Sequence, residues 1–369
     1  MAILNEGATL RDTYEVERFV GEGAFAEVYR VKHRFLGRQA MKVFKRTGMN
    51  LDEIQNMLGE AILLSKIGHP NIVRVFDANI VETAKGTCGY FTMEHVSGGS
   101  LDKMWRSYGN RFMPIETAVD LTKQVCRGIA QAHGEKPPII HRDIKPQNIL
   151  VGYEAEGLRA RVSDFGLAKQ VNPLTLLATA AGTLAFKPPE AFQEHKGDSC
   201  AADVWAIGAT LYLVLTDRLP FPAPEGTSWG SGAKVAFEAS LTPASELRPD
   251  VDSKLDAIIA KTLEKKPGNR YANARELLMA LENWKPCEDS TPARTRASAS
   301  SEPSKAILGS ASPQDDRAGQ DLAKKAVSLG RAGRLGEAAD VMEEAFNKSP
   351  DLRSRYANQV KLWRCGISM

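Results

Sequence analysis

Between Tyr14 and about Lys45, apolar residues alternate with charged ones, at Tyr14 and Val16, at Val28 and Val31, and at Ala40, Met41 and Val43. Successive strand side chains point to opposite faces, so this alternation predicts three half-buried antiparallel strands. Over 51–67 the spacing lengthens to that of a helix, with Ile54, Leu58, Ala61, Ile62 and Leu64 on one face, and His69-Pro70 closes it. Further strands are predicted around 72–75 and 90–93, and from 101 to 284 the spacing is mostly helical. The longest apolar stretch, 204–215, is interrupted by Gly208 and Thr210. It falls short of the roughly 18 to 20 residues of a membrane span and predicts a buried helix. A small sheet lobe followed by a larger helical lobe is an α+β arrangement, with a cleft expected between the two.

Beyond Trp284 the text changes. Residues 286–318 are rich in Ser, Ala, Pro and charge, with only Ile307 and Leu308 as large aliphatics. Such a segment buries too little apolar surface to offset its chain entropy and is expected to be a flexible linker. Residues 319–369 are helical again, as two short amphipathic helices around Gly333-Arg334-Leu335-Gly336. Ala326, Leu329, Ala338, Met342, Ala345 and Pro350 give this tail a resemblance to one tetratricopeptide repeat of about 34 residues. A plain helical hairpin cap is the other reading. Either must pack on the helix expected at 353–363, on the lobes, or on a partner protein, since a single repeat cannot bury its own faces.

The 369 residues suit two or three folded units. With 43% hydrophobic and 25% charged residues, wholesale disorder and rod-like repeats are excluded. The 48 Lys+Arg against 45 Asp+Glu leave +3, too weak a field to draw nucleic acid by charge alone. Five scattered cysteines, without a Cys-x-x-Cys pair, suggest a reducing compartment and no zinc. The first twelve residues, MAILNEGATLRD, lack the basic start and apolar core of a signal peptide, so a cytoplasmic location is expected.

Candidate chemistry begins at Gly21-Glu22-Gly23-Ala24-Phe25-Ala26-Glu27-Val28. Glycine lets main-chain N–H groups approach phosphate oxygens with no Cβ in the way. The loop alone also fits an ordinary glycine hairpin. It does not fit a dinucleotide-binding turn, which must run into a helix, whereas 28–32 continue as a strand. Lys42 stands among apolar neighbours on the third strand and needs an anion, because burying an unpaired ammonium is very costly. Glu60 on the helix is its natural partner.

The run His141-Arg142-Asp143-Ile144-Lys145-Pro146-Gln147-Asn148, followed by Ile149-Leu150-Val151 and then Asp164-Phe165-Gly166, resembles eukaryotic-type protein kinases, specifically the serine/threonine branch. The resemblance covers about residues 14–284. It implies a bilobal protein-kinase-like fold over 14–285: an antiparallel sheet lobe with one helix at about 14–96, then a mainly helical lobe at about 97–285. An N-terminal extension, 1–13, precedes it; the linker 286–318 and helical tail 319–369 follow. Phosphoryl transfer asks chiefly for positioning and charge neutralisation. On that basis Asp143 orients the acceptor hydroxyl and takes its proton, and Lys145 reaches the γ-phosphate. Asn148 and Asp164 offer hard oxygens to Mg²⁺. The resemblance further implies that Lys42, fixed by Glu60, holds the α- and β-phosphates of ATP beneath residues Gly21, Glu22, Gly23, Ala24, Phe25 and Ala26. Adenine is expected against Val28, Ala40 and Leu150, with Met93 behind it and the main chain of Glu94 and Val96 on its edge.

The family carries a switch segment between Asp164 and Glu190, ending here as Gly182-Thr183-Leu184-Ala185-Phe186-Lys187-Pro188-Pro189-Glu190. Thr183 matches the threonine that contacts the catalytic aspartate and lysine. Glu190 is expected to pair with Arg270, and Asp203 to brace the catalytic loop. Arg142 needs an anion when the segment is ordered, and a phosphate on Thr179, or on Thr175, could supply it by autophosphorylation in trans. Ala26 replaces a third loop glycine, Pro188 replaces a usual alanine, and 152–157 lengthen what reads as a hairpin. None of these removes a catalytic group. The expected activity is ATP- and Mg²⁺-dependent phosphorylation of Ser/Thr on protein substrates. A pseudokinase scaffold is the alternative; a small-molecule kinase fits less well, because Lys145 and Gly182-Thr183 go with protein substrates in the family.

Overall fold

The computed structural model describes residues 2–23, 26–45, 59, 67–83, 86–109, 111–154, 156–165, 184–192, 198–222, 229–286, 313–331, 334–349, 352–353, 356, 359–360 and 363. The chain forms two compact units, one built on Met1–His95 and the other on Val96–Asp164 and the residues from Ala180 onward.

The first unit is a six-stranded antiparallel sheet of β1 (Thr9–Leu10), β2 (Tyr14–Glu22), β3 (Ala26–His33), β4 (Gly37–Phe44), β5 (Val75–Thr83) and β6 (Gly86–Glu94), in the order β1-β2-β3-β4-β6-β5. Of the residues read from the sequence, Tyr14, Val16, Val31, Met41 and Val43 fill one face, in a core shared with Tyr29, Cys88 and Tyr90, whereas Val28 and Ala40 lie on the other. β4 departs from the half-buried expectation. It lies between β3 and β6, and Ala40, Lys42 and Phe44 on its other face are buried too. Residues 72–73 do not join the strand predicted at 72–75. Ile72 N–H donates to His69 O at 3.0 Å, and this turn buries Ile72 and Val73 before β5 begins. The N-terminal extension belongs to the unit, with Leu4 and Leu10 in its core and Leu4 N–H donating to the Tyr29 hydroxyl at 3.0 Å. The helix expected at 51–67 falls almost wholly outside the described residues.

The second unit contains α1 (Leu101–Arg106), α2 (Ile115–His133), the hairpin of β7 (Ile149–Glu154) and β8 (Gly157–Val162), α3 (Cys200–Thr216), α4 (Trp229–Glu238), α5 (Ala244–Leu247), α6 (Ser253–Thr262) and α7 (Ala274–Asn283). α2 is amphipathic, whereas α3 is buried from Ala201 to Thr216, which accounts for its long, nearly continuous apolar run. Ser199 caps α3 by accepting from Ala202 N–H. The 152–157 insertion lies at the end of the β7–β8 hairpin, where Glu154 pairs with Gly157.

The tail consists of α8 (Pro313–Arg331) and α9 (Leu335–Lys348), followed by helical residues up to Trp363. α8 starts at Pro313, so helical order begins inside the stretch expected as linker to 318; proline is well suited to a first helical turn. Ala323, Ala326, Ala338, Ala339, Met342, Ala345 and Phe346 pack together, and Tyr153 of β7 and Leu158 of β8 join this cluster. Val360 and Trp363 join it too, so the tail packs both on the segment expected at 353–363 and on the hairpin of the second unit. Among the described residues no helix is long and apolar enough to cross a membrane.

Candidate active site

Asp203, in the first turn of α3, organises the loop that carries the signature run. It is 1% exposed, and its carboxylate accepts from His141 N–H at 2.7 Å and Arg142 N–H at 2.9 Å, with His133 Nε2 at 3.0 Å. Burial opposes its charge. The hydrogen bonds from His133 and from His141 N–H outweigh that penalty, and its carboxyl is held below the usual carboxylate value. His141 is fully buried. Asp143 N–H donates to its Nδ1 at 3.1 Å, so Nε2 carries the proton and donates to Ser163 O at 2.9 Å. The neutral ring therefore ties the catalytic loop to the end of β8. Burial pushes its pKa below the ordinary 6.5, against the pull of Asp203 and Asp143. Below about pH 6.5 the unfolded chain takes up a proton that the native site resists, so the unfolded state binds more protons and stability is lost as pH falls. Urea midpoints at pH 7.5 and 5.5 should show this loss, and His141→Asn should flatten it.

Arg142 turns the chain with φ +68°, and the short 3₁₀ turn Pro146–Asn148 leads into β7. Between them Asp143 is held firmly. Its Oδ2 accepts from Lys145 Nζ at 2.9 Å and Asn148 Nδ2 at 2.8 Å, and Asn148 Nδ2 also donates to Asp143 O at 2.8 Å. These bonds commit the Asn148 amide nitrogen and leave its amide oxygen for another partner. Asp164, with φ +60°, contributes a carboxylate. An amide and a carboxylate oxygen suit a hard divalent cation whose other ligands come from phosphate and water.

Two residues that sequence reading passed over complete this loop. Lys187 donates from Nζ to Arg142 O; burial pushes its pKa down, with Asp143 and Asp203 opposing. A lysine set between Ala185-Phe186 and Pro188-Pro189 was the available signal. Asp198 lies 2.9 Å from Arg142 Nε as an ion pair, not aligned as a hydrogen bond. The anion facing Arg142 among the described residues is thus a carboxylate. Its position just before the cap of α3 shows only in three dimensions. The expected Glu190–Arg270 pair is present and bidentate, at 2.6 and 2.8 Å, and buried.

In the first unit, strand register collects the other candidates. Gly21 pairs with Val28, Val28 with Lys42, and Lys42 with Phe91, while Ala40 pairs with Met93. Val28, Ala40, Lys42 and Met93 therefore share the sheet face opposite the Tyr29–Met41 core. Gly23 N–H, just past β2, donates to Ala26 O, the first residue of β3, at 2.8 Å. Glu94 ends β6, its N–H donating to Arg74 O at 2.8 Å. In the second unit Val96 opens a segment that runs along β7. Val151 N–H donates to Gly99 O at 2.8 Å, and Ser100 bridges Leu150. A Cβ added at Gly98 would stand 2.1 Å from Val151 O, and one at Gly152 would stand 3.3 Å from Val96 Cγ1. Ala24, Phe25, Glu60, Thr175, Thr179 and Thr183 lie outside the described residues.

A family model described as a protein kinase domain matches residues 14–281. A protein named a probable serine/threonine-protein kinase, from Clostridium acetobutylicum, is 32% identical over 283 residues, covering 76% of this chain and 41% of its own. Serine/threonine-protein kinase PknB of Mycobacterium leprae is 31% identical over 275 residues, 73% of this chain and 42% of its own. The chain thus spans about two fifths of the length of these curated relatives. The crystal structure of the Mycobacterium tuberculosis PknI kinase domain superposes with a TM-score of 0.54 at 24% identity, over 76% of this chain and 98% of that one, a likeness of fold.

Proposed function

Because the chain belongs to the protein kinase family, we propose that it transfers the γ-phosphoryl group of ATP to serine and threonine hydroxyls of protein substrates. The observation that carries this reading is the Asp143 carboxylate, fixed through Oδ2 by Lys145 and Asn148. One oxygen is spent on orientation; the other is offered to an acceptor hydroxyl, whose proton it takes as the oxygen attacks. Lys145 brings positive charge to the transferring group, and Lys42, on the face with Val28 and Ala40, neutralises the nucleotide's phosphates. Asn148 and Asp164 would hold the divalent cation, taken as Mg²⁺, which spreads the charge of the β- and γ-phosphates when bound. Adenine recognition is assigned to Val28, Ala40, Met93, Glu94, Val96 and Leu150. Purified chain given Mg²⁺, γ-labelled ATP and protein acceptors should label serine and threonine. Label that stays on ATP would favour the scaffold reading, which the intact Lys42, Asp143, Asn148 and Asp164 argue against.

Thr175 and Thr179 remain the proposed autophosphorylation sites, readable by mass spectrometry after incubation with Mg-ATP. Since Asp198 already faces Arg142, the Thr175→Ala/Thr179→Ala double variant should lose less than about tenfold in kcat, the worth of an exposed ion pair of about 1 kcal/mol or less. The tail is proposed to be one tetratricopeptide-like hairpin able to dock a partner protein, and the location cytoplasmic. The kinase unit is taken to run from 14 to 285.

A further inference from the structure

The tail lies on the segment that follows Val96. Glu343 of α9 is fully buried and accepts a hydrogen bond from Ser97 Oγ. A burial of that kind is sustained only by donors that face it. Two residues further on, a Cβ at Gly99 would come within 3.0 Å of Asn347 Nδ2, so α9 covers 97–99 at close range. A second contact sits beside the first. Phe346 meets Tyr153 of β7 edge-on at 6.1 Å between ring centroids, and the Arg353 guanidinium lies over both rings, at 5.7 and 5.9 Å. Arg353 Nη1 also donates to Ser107 Oγ at 2.6 Å, just past α1. The tail therefore grips 97–99, the end of α1 and the β7–β8 hairpin, and these border Val96 and Leu150.

We propose that Glu343 and Phe346 are positioning residues for the nucleotide: by docking on 97–99 and Tyr153 they hold Val96 and Leu150 in the conformation that receives adenine. This rests on the kinase reading above. The physical need is evident in the sequence, because Ser97-Gly98-Gly99 is a stretch of high chain entropy whose ordering otherwise opposes ligand binding. A docked α9 supplies that order beforehand. Linkage is reciprocal, so nucleotide must favour the docked tail to the same extent that the tail favours nucleotide.

The test uses the full chain and Mg-ADP as the probe. Calorimetry on Glu343→Ala/Phe346→Ala should show Kd for ADP raised at least about fivefold, the lower end of ordinary coupling. In assays KM for ATP should rise while kcat at saturation is kept; a merely structural lesion would lower kcat through loss of active molecules. Glu343→Gln keeps an acceptor for Ser97 and should restore affinity to within about twofold of wild type. In the wild-type chain, saturating ADP should slow amide exchange in α9, a measurement that stands even if the double variant does not fold. Unchanged ADP affinity in a folded double variant, or α9 exchange indifferent to ADP, overturns the proposal alone. Failure of the wild-type chain to bind ADP overturns it together with the kinase reading.

Discussion

Asp143→Asn should lower kcat by about 10²- to 10⁴-fold, the usual worth of a positioned proton acceptor, while leaving nucleotide affinity and the thermal midpoint close to wild type. The amide matches the carboxylate in shape, so the loop anchored by Asp203, His141 and Lys187 keeps its course. What changes is charge. The oxygen facing the acceptor hydroxyl no longer takes its proton, and Lys145 loses the anion 2.9 Å away. Rates with a labelled protein acceptor, beside ADP binding by calorimetry, separate the two effects. A variant that kept wild-type turnover would remove Asp143 from the chemistry.

Arg270→Ala should be the most damaging single change to stability in the second unit, at about 3–5 kcal/mol. Its side chain is fully buried. Beyond the two bonds to Glu190, it donates to the main-chain oxygens of Glu264, Lys265 and Ala201 at 2.6, 3.1 and 3.1 Å. Removal leaves a buried carboxylate and three carbonyls without their donor, against a total stability of about 5–15 kcal/mol for an ordinary domain. Lysine cannot replace it, because one ammonium does not present the planar fork that meets Glu190 in two places. Trp205, whose ring lies 4.8 Å from the guanidinium carbon, offers a fluorescence probe for urea unfolding. The Glu190→Ala/Arg270→Ala double variant should cost less than the two single changes added together; additive losses would show that the pair is not coupled.

The run His141–Asn148 stood out because the proposed phosphoryl transfer needs a carboxylate, a lysine and an asparagine at fixed offsets, and one loop holds all three residue types. The sheet was legible from alternation at Tyr14 and Val16 and at Met41 and Val43. Residues 72–73 misled because a buried turn and a buried strand place the same demand on apolar residues. Lys187 and Asp198 stayed hidden for a different reason: their partner, Arg142, is 45 and 56 residues away, and local pattern carries no information about such closures. The seat of the tail was equally invisible, since Tyr153 and Glu343 acquire their burial only from each other's neighbourhood.

Gly98 and Gly21 would look alike in a survey of tolerated substitutions, yet for separate reasons. At Gly98 the neighbouring strand leaves no room for even a methyl group, and alanine there should reduce the amount of folded protein recovered, nucleotide or not. At Gly21 no described atom lies within 4 Å of an added methyl, so alanine should be harmless to abundance and felt only when triphosphate must come close. Scoring a saturation library twice, once for abundance and once for turnover, would sort the glycines that the chain needs for itself from those it keeps for its ligand.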